Sequence, residues 1–137
     1  MDTQFKKSEV PSAINTLSNA DISDKEIALS TVQRLTVAIR RLRDVQRDIQ
    51  NTQQALVRRH AERDEDNQVK RTETGDDRKG DVIFKDEEGF HNEFDKVMNQ
   101  PVDADLPVLP VEDVQKMKLH PAEQANILPI IDYGKLE

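Results

Sequence analysis

Eight arginines between residues 34 and 63 are the side chains of this sequence best placed to do chemistry. On a helical wheel Arg40, Arg43, Arg47 and Arg58 fall along one flank of an apolar stripe, and Arg34, Arg41, Arg59 and Arg63 along the other. Guanidinium groups spaced three and four residues apart present permanently charged, forked donors that suit carboxylates or phosphates. Such rows hold anions and supply neither nucleophile nor base. Residues 25 to 63 contain nine Lys or Arg against four Asp or Glu, a net of +5, so the remainder carries −12 of the chain's −7. The partner of these flanks should therefore be acidic: another protein, nucleic acid, or this chain's own segment 73 to 88. Pairs such as Arg40 with Asp44 and Arg58 with Glu62 would offset only about 0.2–0.5 kcal/mol each.

Catalytic and metal chemistry find little to work with. His60, His91 and His120 lie about thirty residues apart in unlike contexts, and none sits in an H-E-x-x-H pattern. Cysteine is absent, which removes thiol nucleophiles, disulfides and Cys-ligated zinc. The stretch from Asp64 imitates the start of an EF-hand loop, but Val69 stands where the loop needs glycine and Gly75 where it needs a bidentate glutamate. Only four glycines occur, and none builds a phosphate-cradling loop. The expectation is a non-enzymatic protein without cofactor or metal.

A helix must carry the arginine rows. Ser23 followed by Glu26 reads as a capping box, with Ile22 and Ile27 as a hydrophobic staple, so a helix is predicted to start at Asp24. Apolar residues then recur at Ala28, Val32, Leu35, Ile39 and Leu42, and again at Val45, Ile49, Thr52 and Leu56. The two runs meet in a doubled three-residue step at Leu42 to Val45, a stammer that overwinds the helix or lets the stripe change partner there. No Pro or Gly interrupts residues 24 to 63, which predicts one helix of about 40 residues, roughly 60 Å long. Val32, Leu35, Ile39, Leu42, Val45, Ile49 and Leu56 form its partner-binding seam.

The remaining segments follow from composition. Residues 1–22 form an N-terminal arm, 23–63 the long amphipathic helix and 64–81 a polar linker. Residues 82–100 form a plug of short strand and helix presenting Phe90, Phe94, Val97 and Met98, and 101–137 an extended tail punctuated by five of the six prolines, with one or two helical turns at 111 to 119. Leu106, Val108, Leu109, Val111, Ile127, Leu128, Ile130 and Ile131 are expected to anchor that tail on another polypeptide, its last residues adding a strand to a neighbour's sheet. The fold class is thus mostly α, one long coiled-coil-like helix with little independent globular core, because 35% hydrophobic and 4% aromatic residues are poor material for one.

A bridging or assembly protein of a large complex, such as a minor phage virion component, fits this architecture. A small adaptor of one partner protein is the alternative, and a nucleic-acid-associated protein using the Arg-rich helix a third reading. The expected partners are other subunits of a large assembly, a homo-oligomer or bundle, and then nucleic acid. No membrane partner is expected, since no stretch approaches 18 consecutive apolar residues. The N-terminal residues lack an apolar run of signal-peptide type, which favours a cytoplasmic or virion setting.

Overall fold

The computed structural model describes residues 5–72 and 81–133. The chain is mostly helical around one long helix, as the periodicity predicts, and divides into two compact units: residues 1–47 with 100–137, and residues 48–99. The elements are α1 (Val10–Ser18), α2 (Leu29–His60), α3 (Glu87–Met98), β1 (Leu109–Pro110), α4 (Val111–Gln115), α5 (Pro121–Asn126) and β2 (Ile131–Asp132), with 3-10 turns at Lys7–Glu9 and Leu128–Ile130.

Helix α2 begins five residues later than the capping box implies. Asp21 takes both the backbone N–H and the hydroxyl of Ser23 on one carboxylate oxygen, at 3.0 and 2.6 Å, so Ser23 is not free to cap. The first helical bonds run from Thr31 and Val32 to the carbonyl of Ala28. Alanine has no capping oxygen, and the first turn of α2 holds no acidic residue. Asp113 supplies both from a distance: one of its carboxylate oxygens accepts the Thr31 hydroxyl and, at 3.4 Å, the Ala28 N–H. A negative charge at the positive end of a helix is favourable, more so when buried, and Asp113 is only 7% exposed.

The buried stripe of α2 differs from the predicted one in a way that removes the stammer. Thr31 and Ala38, at 1% and 0% exposure, are buried, whereas Val32 and Ile39 are half-buried. The inward positions are then Thr31, Leu35, Ala38, Leu42, Val45, Ile49, Thr52 and Leu56, an unbroken alternation of four- and three-residue steps. A threonine whose hydroxyl is spoken for by Asp113 and an alanine that admits close approach take places assigned to larger aliphatics.

The first unit is closed by residues remote in sequence. Phe5 is buried and its carbonyl accepts Val102 N–H at 2.7 Å, while Lys7 N–H donates to Gln100 at 2.9 Å. Helix α1 buries Val10, Ala13, Thr16 and Leu17 and packs on α5, where Asn126 donates to the Thr16 hydroxyl at 3.2 Å. The tail is the main correction. Strand β1 pairs in parallel with β2, Leu109 opposite Ile131, with α4 and α5 in the crossover. The C-terminal strand thus adds to a strand of its own chain. Pro110 is the N-cap of α4, Pro121 opens α5 and Pro129 lies in the first turn of the last 3-10 segment. Prolines placed there start helical turns, because the first N–H groups of a helix need no partner.

In the second unit the segment read as a polar linker has paired backbone. Bridges join Ala61 to Phe84, Arg63 to Val69 and Arg71 to Val82, and Ile83 N–H donates to Lys70 while Lys70 N–H donates to Glu62, both at 2.9 Å. The turn between is made by Asp64, whose carboxylate accepts Asp66 and Gln68 N–H at 2.9 Å each, and by Asn67 at φ 62°, a left-handed conformation Asn tolerates. The part of the linker from 73 to 80 lies outside the described residues. Helix α3 is capped by Asp86, which accepts Gly89 N–H at 3.0 Å. A Cβ at residue 89 would collide with that carboxylate, so any larger residue there would make Asp86 shift from its cap.

Candidate functional site

The eight arginines are all exposed, but they are not equivalent. Arg34 donates to the carbonyl of Val108 at 3.5 Å and Arg41 to that of Asp105. With Thr31 bound to Asp113, these contacts run the tail antiparallel along α2: residues 31, 34 and 41 meet 113, 108 and 105 in turn. Within the second unit Arg59 pairs with Glu93 at 3.1 Å, and Arg63 donates to the carbonyls of Asn67 and Arg58 at 2.9 and 3.2 Å. Every member of the Arg34, Arg41, Arg59 and Arg63 flank is therefore committed to the chain itself.

On the opposite flank only Arg47 has such a tie among the described residues, a loose contact with Asp44. Arg40, Arg43 and Arg58 have no side-chain hydrogen bond or ion pair among the described residues. The sequence-predicted pairs form otherwise: Asp44 approaches Arg47 at 3.8 Å and Glu62 approaches Lys70 at 3.4 Å. With 72% and 63% of their side chains exposed, Arg47 and Asp44 constrain each other little, since such pairs contribute about 0–1 kcal/mol. In the first unit Arg40, Arg43 and Arg47 line an open groove of about 510 Å³ with Ser18, Thr36, Ile39 and Asp44. Half-buried Ile39 gives it an apolar element, and the guanidinium groups rise from successive turns of one helix. Such a groove can hold a row of carboxylates beside a short aliphatic contact.

The other predicted site residues separate by burial. Of the seam, Leu35, Leu42, Ile49 and Leu56 are buried and Val32, Ile39 and Val45 half-buried within the chain. Of the tail anchors, Leu109, Ile127, Ile130 and Ile131 are buried against the chain's own residues, Leu106 and Val111 are half-buried, and Val108 and Leu128 remain exposed. For Leu109, Ile127, Ile130 and Ile131 the expectation of an external host is corrected, since the chain itself supplies that surface. Residues the spacing did not reveal are Asp113, Phe84 and Lys85. Asp113, set among Val111, Val114 and Met117, carries a local signal, a carboxylate within an apolar run. Phe84 and Lys85 reach α2 only through backbone pairing that no periodicity encodes.

His60, the last residue of α2, lies with Nδ1 3.8 Å from Asp86 and Nε2 3.4 Å from Glu93, the latter in ion-pair range but without hydrogen-bond alignment. Desolvation opposes charge on Glu93, but His60 and Arg59 outweigh it and hold the carboxyl below its ordinary value of 4.5. A folded value below the unfolded one stabilises the fold above the unfolded value, and that contribution is lost as pH falls through the folded value. Glu93→Gln should accordingly flatten the acid limb of the stability curve below about pH 4.5, read by denaturant midpoints across pH. An unchanged acid limb would show that Glu93 is not so held.

No protein-family model, curated protein or solved structure matches this chain. What fold and site define is a class: a mostly helical chain with one arginine row held by its own carbonyls and a carboxylate, and another exposed and largely without partners among the described residues. Among the described residues no helix is long and apolar enough to cross a membrane.

Proposed function

We propose that this is a non-enzymatic assembly protein that joins subunits of a larger complex, docking an acidic protein surface along Arg40, Arg43 and Arg47. The observation that carries the reading is the division of the arginines: one flank clamps the chain's own carbonyls and a carboxylate, while on the other Arg40, Arg43 and Arg47 line a groove whose one carboxylate is the exposed Asp44, 3.8 Å from Arg47. Exposed guanidinium groups around an aliphatic residue suit protein partners, where arginine recurs at interfaces and sets register as well as affinity. A fixed-copy component of a particle, for example a minor phage virion protein, belongs to this reading.

The test is Arg40→Glu with Arg43→Glu and Arg47→Glu. All three side chains are exposed, so the helical signal should be retained. Association with the large species of the native source should fall by several kcal/mol, because like charges would now oppose one another. Retention at wild-type occupancy would remove the groove from the interface. Stoichiometry separates assembly from adaptor: many fixed copies per particle favour the former, and a dissociable, substoichiometric chain the latter.

A further inference from the structure

The second unit holds another basic cleft, of about 690 Å³, lined by Arg58, Arg59, Glu62, Arg63, Phe84 and Lys85. The pairing of Ala61 with Phe84, and the 2.7 Å bond from Lys85 N–H to the carbonyl of His60, bring an aromatic ring to the end of an arginine-rich helix that has none of its own. Phe84 is half-buried and stacks on Phe90 with centroids 4.7 Å apart and planes at 27°, and Phe90 stacks on Phe94 at 5.9 Å and 4°. The column fixes Phe84, so a planar ligand meeting it need not order the side chain first. The cations fall into two kinds. Arg63 is held by two carbonyls and Arg59 by Glu93, whereas the side chains of Arg58 and Lys85 have no partner among the described residues.

We infer that this cleft binds a nucleotide, free or as a link in a single strand, with the base against Phe84 and the phosphate on Arg58 and Lys85. Stacking on an aromatic ring beside a basic track is how single-stranded nucleic acid is held without reading its sequence. A phosphate alone would need no ring, and an aliphatic ligand would gain nothing from the two cations, Arg58 and Lys85, that have no partner among the described residues. Arg58 also lines an adjoining cleft of about 440 Å³ with Gln53, Gln54 and Arg71, which gives a strand a continuation past one residue.

Fluorescence anisotropy on the full chain, with labelled oligothymidylate and labelled AMP as probes, tests the assignment. Binding at low salt should weaken with added salt, with a log–log slope of about −0.7 per phosphate contacted for a strand. Arg58→Ala with Lys85→Ala, which removes both cations from that one phosphate, should weaken binding and flatten that slope by roughly 0.7. Phe84→Leu, which keeps an apolar side chain on Phe90, should weaken binding about tenfold and leave the slope unchanged. Tighter binding of the oligomer than of AMP identifies a strand as the source, and equal binding a free nucleotide; both support the site. Absence of binding at low salt overturns it. So does Phe84→Leu without effect in a variant whose circular dichroism and thermal unfolding match wild type, or displacement of AMP by inorganic phosphate at equal concentration. Arg40, Arg43 and Arg47 are untouched throughout, so failure here leaves the assembly reading standing.

Discussion

Replacing Leu109 and Ile127 together by alanine is expected to remove most of the stability of the unit formed by residues 1–47 and 100–137. Both are 0% exposed in the isolated chain. Large-to-small changes at such positions cost about 2–5 kcal/mol each, and a domain of ordinary stability has only about 5–15 kcal/mol to lose. Denaturant unfolding should show the loss, and native-state hydrogen exchange on the wild-type monomer should show protected amides at Ile127 and Ile130, which donate to Gln124 and Ile127. A double variant with the wild-type midpoint would restore the idea that the tail waits for an external host.

Asp113→Ala should have the next largest effect. It strips the acceptor from the buried Thr31 hydroxyl and the charge from the N-terminus of α2 in one step. Hydrogen bonds to a charged group contribute about 1.5–3 kcal/mol, and the helix end adds roughly 0.3–1 kcal/mol. Asp113→Asn keeps an acceptor and should recover part of the loss. Thr31→Val combined with Asp113→Ala should cost less than the two single changes added together, because each removes the other's partner. Additivity in that cycle would mean the contact carries no coupling energy.

The long helix was legible because apolar residues recur at three- and four-residue steps and no Pro or Gly interrupts residues 24 to 63. Its start was not, because Ser23 has a competing acceptor two residues away in Asp21 and the true cap comes from residue 113. Thr31 and Ala38 escaped for a related reason: hydrophobic spacing weighs size and apolarity, whereas a groove that admits the tail needs a small residue and a hydroxyl with a partner. Prolines in the tail were legible as breaks but not as starts, since the same fixed φ that ends one helix pre-forms the first turn of the next. The wheel set Arg58 apart from Arg59 and Arg63, yet all three line one cleft. Which flank is spent depended on carbonyls at 105 and 108, beyond the reach of local pattern.

The bond between Lys7 and Gln100 has a consequence for how the chain is made. Residues 48–99 are contiguous, so the whole of that unit has left the ribosome before the first unit can close. The first unit is split: its N-terminal half needs Gln100 and Val102, and Leu109 needs Ile131. During synthesis of residues 100 to 131, a few seconds at roughly 5–20 residues per second, Leu35, Ala38 and Leu42 stand without the tail that binds beside them. Closure across so long a loop is slow relative to helix formation. The nascent chain therefore passes through a state with one finished unit and one exposed seam, and that state is where chaperone binding and aggregation would compete with folding.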